Sequence, residues 1–502
     1  MKKGLFIFIS SLLLLSYFST TKVAAQSNNS IQGEIIYDIL VDRFNNGNQK
    51  NSDQVDVDDP FTYNGGDIEG ITMMLSDIKD LGFTTISLSS VWENAPKGYH
   101  GYWIDDFYEI EEQFGTIDDL KVLIEEAHKR DMKVIVELVT NYIADSHPFV
   151  TDETKHTWFK ENETEPIPAT EWMNNTIQLD QSNGEVHDYL LDVATHWMDE
   201  LDIDGYKLHA VDQMHEDFLE DLTKTIKEKD PEFYVIASSL QGSLNVEELV
   251  NNKNIDAIEN NEMYEEFNKV LTNADEPISS IYNTWENSIG EKSLLFTDNK
   301  NVARFSNDFA DQGRNAATTW SLALANLYFL PGVPIVYQGS EVPMYGPGFP
   351  ENQYFVDFFS ADPDIEELFT HFAAMRKEFP ALVHGEIEQL AINEGLSLFK
   401  RSDGEEDIYV AINNDSESRV VKIDSIGSDL QLRGLIHDDT VREDKEGKFL
   451  IGMERESVEV FVVQPNSGFN WWFISFVLGV FAAFVIIVTI AGRKQKQQNK
   501  NR

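Results

Sequence analysis

The chain has 502 residues, of which 42% are hydrophobic, and this length predicts one large domain with a smaller second one. Its 87 acidic and 39 basic residues give a formal charge of −48, which argues against nucleic acid as a partner because phosphates would be repelled. The absence of cysteine excludes disulfides and thiolate chemistry.

Residues 1–25 have the pattern of a secretory signal peptide. Lys2 and Lys3 precede an apolar run, and the small residues Val23-Ala24-Ala25 end it. This arrangement is typical of a signal sequence that is removed after export. We therefore expect the body of the protein to lie outside the cell.

Residues 26–382 alternate short apolar runs with amphipathic segments such as 117–131 and 186–201. Continuous apolar strands separated by helices indicate a parallel sheet, and eight such units predict an α/β fold, a closed (β/α)₈ TIM barrel. The segment 143–185 is too long for an ordinary loop and is predicted to be an insertion after strand 3. The eight expected strands are 33–41, 83–89, 132–139, 204–210, 233–239, 254–260, 293–299 and 333–339.

The pattern changes in residues 383–466. Segments such as LSLFKRS and DIYVAINND alternate apolar and polar residues with a period of two, with turn residues between them. This alternation predicts a small antiparallel β domain after the barrel.

The C-terminus has the features of a membrane anchor. Residues 471–492 are apolar for about 20 residues, enough to cross a bilayer. The tail 493–502 is basic, and positive residues favour the cytoplasmic side. We expect a single-pass membrane protein with an extracellular body, and the signal sequence with the lack of cysteine suggests a bacterial source.

The expected strand ends resemble glycoside hydrolase family 13, the α-amylase family, over nearly the whole secreted part. The resemblance implies the (β/α)₈ fold, carbohydrate as the substrate class and a site at the carboxyl ends of the strands. Six motifs carry it in the right order: IYDILVDRFNNGN (36–48), YNGGDIEGI (63–71), GYHGYW (98–103), DGYKLHAV (204–211), LFTDNKNVARF (295–305) and PGVPIVYQGSE (331–341).

The resemblance also places the three catalytic acids of the family, and all three are replaced. The nucleophile position falls on His209, the acid/base position on Ser238 and the third acid position on Asn301. A retaining glycosidase needs a carboxylate nucleophile and a carboxylic acid. Loss of one charge interaction of about 4 kcal/mol corresponds to roughly a thousandfold in rate. We therefore expect a degenerate member that does not hydrolyse α-glucans.

Residues around these positions are partly kept. The resemblance implies substrate binding by His100 and Tyr102, which remain, whereas Lys207 and Lys300 stand where the family has an arginine and a histidine. Tyr142 replaces another histidine of the family. Tyr142 and Lys300 could fill the pocket.

The segment 45–53 with Gly65-Gly66-Asp67 resembles a calcium loop of the cyclodextrin-forming and maltogenic branch of the family. Calcium accepts six to eight oxygen ligands. The oxygen donors implied by the resemblance are Asn46, Asn48, Asn51, the Gly65 carbonyl and Asp67.

Three functions are compatible with the sequence. The first is a pseudoenzyme of carbohydrate metabolism that binds an α-glucan or another carbohydrate. The second is a scaffold for a protein partner in the membrane. The third is a glycosidase or transferase acting on an anionic sugar, for which Lys207, His209 and Lys300 would converge on one pocket.

Overall fold

The computed structural model describes residues 30–500, except for 52–53, 161–170, 241–245, 428 and 467–470. The expected signal peptide lies outside the described residues. The expectations for the barrel, the β domain and an apolar C-terminal helix fall mostly within them, but residues 161–170 of the expected insertion and residue 428 of the β domain lie outside the described residues.

The centre of the molecule is a closed barrel of eight parallel strands, as the sequence predicts. Nearly every strand position is buried, because each strand packs against the barrel interior on one side and against helices on the other. The strands are β1 (Ile36–Ile39), β2 (Thr85–Leu88), β5 (Lys133–Leu138), β8 (Gly205–Leu208), β9 (Tyr234–Ala237), β10 (Ala257–Glu259), β11 (Ser293–Leu295) and β12 (Val333–Tyr337).

Amphipathic helices cover the barrel, and side-chain caps set where several of them begin. Asp67 accepts a hydrogen bond from the Gly70 amide, and Thr116 with Asp119 forms a reciprocal capping box. The helices of this region are α1 (Ile68–Asp80), α2 (Ile117–His128), α3 (Pro148–Thr151), α4 (Gly184–Glu200), α5 (Glu216–Lys229), α6 (Val246–Asn251), α7 (Asn261–Leu271), α8 (Ile278–Asn287), α9 (Phe305–Asp311), α10 (Ala316–Phe329), α11 (Pro363–Glu378) and α12 (Ala381–His384).

Two small hairpins stand on the barrel. The insertion after the third barrel strand contains β6 (Tyr142–Ala144) paired with β7 (Thr176–Gln178). A second hairpin pairs β3 (Trp92–Asn94) with β4 (Ile104–Ile110) after the second barrel strand. This second hairpin was not predicted from the sequence, because β3 has only three residues and β4, with the sequence IDDFYEI, does not alternate apolar and polar residues.

The C-terminal region forms the expected antiparallel β domain, with a six-stranded sheet in the order β13-β14-β15-β20-β17-β18 and a separate pair β16-β19. The strands are β13 (Glu386–Asn393), β14 (Leu396–Ser402), β15 (Asp407–Asn413), β16 (Arg419–Asp424), β17 (Leu430–Gly434), β18 (Thr440–Arg442), β19 (Lys448–Met453) and β20 (Ser457–Pro465).

Helix α13 (Trp471–Lys500) follows the β domain. Its segment Ile474–Ala491 has a mean hydropathy of 2.8, and none of it is buried against the rest of the molecule. It is therefore a candidate membrane span by length and composition.

Candidate active site at the carboxyl ends of the barrel strands

The carboxyl ends of the barrel strands bring most of the expected site residues together, but inside the protein. Lys207 lies near the end of β8 and His209 directly follows this strand, Glu137 is the next-to-last residue of β5, and Lys300 comes from the loop after β11. Each of these four residues is only 1–6% exposed. Buried ionisable groups require partners, and each of the four has one.

Glu137 is the centre of a buried cluster, here called the Glu137 cluster, formed with Lys300, His209 and Tyr142. Lys300 Nζ lies 2.5 Å from Glu137 Oε2, and His209 Nδ1 lies 2.8 Å from Glu137 Oε1. His209 Nε2 contacts the Tyr142 hydroxyl. Because the carboxylate can only accept, Nδ1 of His209 donates to it and Nε2 accepts from Tyr142. Both ring nitrogens of His209 are thus engaged.

A second buried ion pair lies beside this cluster. Lys207 Nζ lies 2.5 Å from Asp38 Oδ1, and the Ser87 hydroxyl donates to the same oxygen at 2.7 Å. Asp38 comes from β1 and was not singled out in the sequence. The signal that could have found it is Lys207 itself, because a lysine at the end of a buried strand needs a carboxylate partner.

Two aromatic rings cover the Glu137 cluster. The ring of Tyr102 lies 4.5 Å from that of His209, and its hydroxyl is 3.4 Å from Glu137 Oε1. His100 stacks on the ring of Tyr102 with ring centroids 5.3 Å apart. The two residues expected to bind substrate therefore pack over the charged cluster and have only 2–3% of their surface exposed.

The other two expected catalytic positions do not join the Glu137 cluster. The Ser238 hydroxyl donates to the Leu208 carbonyl at 3.3 Å. Asn301 is exposed, and its backbone amide donates to the Asn299 side chain at 2.8 Å. Neither side chain can supply the acid that a glycosidase requires.

Glu259 and Asp298 are buried acids at the same end of the barrel, and each is bound by its neighbours. Glu259, which the sequence analysis did not name, accepts hydrogen bonds from the Ser239 amide and the Asn299 side chain, both at 3.0 Å. Asp298 accepts from the Phe305 amide at 3.1 Å and the Ser340 hydroxyl at 3.0 Å. These contacts tie the strand-end loops together.

The surroundings set the charges of the site. Burial acts to raise the pKa of Glu137, but Lys300, His209 and Lys207 outweigh it and hold that pKa well below its usual range. Burial lowers the pKa of His209 against the opposing effect of Glu137. Burial opposes the charge of Lys300 as well, yet Glu137 and Asp38 raise its pKa. At neutral pH the site therefore holds a Lys300–Glu137 ion pair beside a neutral histidine.

Little space remains at the centre of the barrel mouth. The cavity lined by Asp38, Glu137, Lys207, His209 and Ser238, among others, has a volume of about 20 Å³. That is room for about one water molecule, whereas ligand pockets usually measure about 300–1,000 Å³. The side chains present therefore fill most of this position.

The expected calcium ligands lie in the loop after β1. Asp67 accepts from the amides of Gly47 at 2.9 Å and Asn48 at 2.7 Å, in addition to capping α1. A Cβ atom at Gly65 would lie 2.7 Å from Asn46 Nδ2, so these two residues converge. Asn51 ends a 3₁₀ turn in the same loop. The donor set offers one carboxylate and several amide oxygens, which are acceptable calcium ligands.

Comparison with known proteins identifies the family. Residues 38–172 and 154–378 match the alpha-amylase catalytic domain, and residues 385–461 match the alpha-amylase C-terminal domain. The chain belongs to the α-amylase family. The glycosidases and transferases of this family act in carbohydrate metabolism, and the eight-stranded barrel with its β domain is the fold that the matched domains describe.

Two solved α-amylases are similar over almost their whole length. An Anoxybacillus α-amylase is 37% identical with a TM-score of 0.82, and the match covers 88% of this chain and 100% of that one. The Geobacillus thermoleovorans α-amylase, solved with acarbose, is 34% identical with a TM-score of 0.80, covering 87% and 100%. A cyclomaltodextrinase of Geobacillus thermopakistaniensis is 25% identical over 427 residues, which are 78% of this chain and 71% of the relative.

Proposed function

We propose that this protein is a pseudoenzyme of the α-amylase family that binds α-glucan without hydrolysing it. The observation that carries the proposal is the Glu137 cluster. At the position of the family nucleophile, His209 donates to Glu137 and accepts from Tyr142, while Lys300 neutralises the carboxylate.

The chemistry of glycoside hydrolysis explains why this arrangement is inactive. The transition state carries positive charge and is stabilised by nearby carboxylates. Glu137 is 1% exposed, and its charge is already balanced by Lys300. The Ser238 hydroxyl is not acidic enough to protonate a leaving oxygen. With a cavity of about 20 Å³, the reacting sugar has no room beside these groups.

An α-glucan would therefore bind at the rim of the barrel mouth. The loops after β1 and β12 lie at the same end of the barrel and are tied together by the Val356 amide, which donates to the Arg43 carbonyl at 3.0 Å. They expose the rings of Phe61, Tyr345 and Tyr354 by 43%, 62% and 46%. Exposed aromatic faces can stack on the apolar faces of sugar rings.

We further propose that calcium binds in the loop after β1, held by Asn46, Asn48, Asn51, the Gly65 carbonyl and Asp67. The ion would supply positive charge that stiffens the loop. The convergence of Asn46 with Gly65 and the central place of Asp67 support this assignment.

The place of action that we propose is the cell surface. The apolar segment Ile474–Ala491 supports a membrane anchor for the extracellular body, with residues 493–502 in the cytoplasm. The same segment supports a second candidate function, that of a scaffold for a membrane protein partner. The anionic-sugar alternative is not favoured, because Lys207 and Lys300 are already paired with Asp38 and Glu137.

The test is calorimetric binding of maltoheptaose to the full chain in detergent micelles, with release of reducing sugar measured on the same preparation. We expect binding without release. The double variant Tyr345→Ala, Tyr354→Ala should weaken binding of maltoheptaose. Phe476→Ala, in the apolar helix, is the matched control and should leave the affinity unchanged. Release that disappears in His209→Ala would contradict the proposal. Absence of both binding and release would reject the glucan ligand and favour the scaffold.

A further inference from the structure

A second cavity lies on the outside of the barrel, between the first helix α1 and the last long helix α11. Its volume is about 380 Å³, within the range of ligand pockets. Near the C-terminal end of α1, a Cβ atom at Gly82 would lie 2.3 Å from that of Ala373, so the two helices meet there and close one side of the space. This cavity shares no lining residue with the Glu137 cluster.

The inner wall of this cavity carries a buried acid. Glu341 is 3% exposed, and its Oε1 accepts a hydrogen bond from the Tyr37 hydroxyl at 2.6 Å. Among the described residues, its Oε2 has no hydrogen-bond partner, and no lysine or arginine nitrogen lies within 4.0 Å of it. A buried carboxylate with one unsatisfied oxygen is costly unless something else balances it.

The charge of Arg304 acts on Glu341 and lowers its pKa, but Arg304 forms no direct ion pair with this carboxyl group. Arg304 donates to the carbonyls of Gln338 at 2.7 Å and Asn352 at 2.9 Å and lies over the ring of Tyr337. Burial raises the pKa of Glu341 to about 6 against the opposing hydrogen bond from Tyr37. A cation brought next to Glu341 would favour the charged form of the carboxyl group.

The remaining walls define the kind of cation that fits. Met74, Ile78 and Phe358 supply apolar and aromatic surface, and Asp77 with Glu366 adds negative charge at the rim. No basic side chain lines the cavity in the described part of the chain. A carboxylate beneath an aromatic and thioether wall suits an ammonium group carried on an apolar body.

We propose that the cavity between α1 and α11 binds an organic ammonium ion, with the ammonium group against Glu341 and the apolar body against Met74 and Phe358. The site is distinct from the proposed glucan site, since its lining includes neither a residue of the Glu137 cluster nor the exposed rim aromatics Phe61, Tyr345 and Tyr354.

The experiment is calorimetric titration of the full chain in detergent micelles with 2-phenylethylammonium and with its neutral counterpart 2-phenylethanol. We expect the ammonium ion to bind at least tenfold more tightly than the alcohol. Glu341→Gln should abolish that difference. Glu367→Gln, an exposed acid on α11 that does not line the cavity, should preserve it. Equal affinity for the two compounds, or an undiminished preference in Glu341→Gln, would overturn the proposal.

A second variant serves if Glu341→Gln does not fold. Met74 lies on the partly buried face of α1 and lines the cavity. Met74→Trp would replace its side chain by a bulky indole ring that fills the cavity. It should abolish binding of the ammonium ion while far-ultraviolet circular dichroism stays that of the parent. Ammonium binding that survives this substitution would place the ligand elsewhere and reject the site.

Discussion

Two buried glutamates behave in opposite ways in this molecule, and their neighbours account for the difference. Glu137 and Glu341 are 1% and 3% exposed. Glu137 meets Lys300 and His209, and these groups hold its pKa below the usual range despite burial. Glu341 meets a tyrosine hydroxyl, and burial raises its pKa to about 6. Burial alone does not decide the state of a carboxyl group; the charge placed beside it does.

The two glutamates lie in sites of different kinds: the site at Glu137 is closed, and the site at Glu341 is open. At the Glu137 cluster the protein supplies its own cation, and the space shrinks to about 20 Å³. At Glu341 the described residues supply no direct ion pair, only the more distant charge of Arg304, and about 380 Å³ remains beside it. Under the two proposals, the position where relatives of this family carry out catalysis has a structural role, and the cavity on the outside of the barrel is a binding site.

The largest expected effect follows from removing the cation of the Glu137 cluster. Lys300→Met leaves a buried carboxylate without its ion pair, which should lower the free energy of unfolding by about 3–5 kcal/mol. Urea denaturation of the parent and the variant measures this loss. The double variant Lys300→Met, Glu137→Leu is the control and should recover most of the stability. A loss below about 1 kcal/mol in the single variant would show that the ion pair does not hold the site closed.

Glu259 lies at the same end of the barrel as the Glu137 cluster but has no direct lysine contact. It tests whether burial raises the pKa of such an acid, as it does for Glu341. Burial raises its pKa from 4.5 to about 7, with Lys207 opposing. The folded state then binds the proton more tightly, so this group's contribution to stability falls as the pH rises from about 4.5 to about 7. Glu259→Gln should remove a pH-dependent term on the order of 3 kcal/mol. Parallel stability curves of parent and variant between pH 4.5 and 7 would refute this.

A smaller effect is expected at the wall of the Glu137 cluster. Tyr142→Phe removes the hydroxyl that contacts His209 Nε2 and leaves that nitrogen unsatisfied in a buried position. The free energy of unfolding should fall by about 1–3 kcal/mol. Urea denaturation gives the value, and Tyr345→Phe on the exposed rim is the control with no expected change. An equal response of the two variants would mean that the Tyr142 contact does not matter.

The smallest effect concerns the loop after β1. Asp67→Asn keeps an N-cap for α1 but removes the only carboxylate among the proposed calcium donors. In a calcium chelator the variant should be less stable than the parent by about 1 kcal/mol, because the amide NH2 cannot accept the hydrogen bond that the Asn48 amide donates to Asp67. Added calcium should raise the melting temperature of the parent but not that of the variant. A calcium shift that persists in the variant would place the ion elsewhere.

Much of this architecture could be predicted from the sequence. The eight apolar runs locate the barrel strands because each strand is buried on both faces, and the period of two locates the β domain. The motif around His209, through its resemblance to the family, predicts that the nucleophile is replaced. The sequence could also suggest that Tyr142 and Lys300 fill the pocket, since each of them replaces a histidine of the family.

The partners of these residues could not be predicted. Lys300 and Glu137 are 163 positions apart, and only closure of the barrel brings them together. The same holds for Lys207 with Asp38, which are 169 positions apart. The cavity beside Glu341 depends on the distance between α1 and α11. No local pattern in the sequence predicts this distance.

The central claim is that the Glu137 cluster is closed and does not hydrolyse α-glucan. The most direct measurement is release of reducing sugar from maltoheptaose by the purified full chain, alongside calorimetric binding of the same compound. The account predicts binding without release. Release by the parent chain that is lost in His209→Ala would show that this histidine takes part in catalysis and would contradict the account.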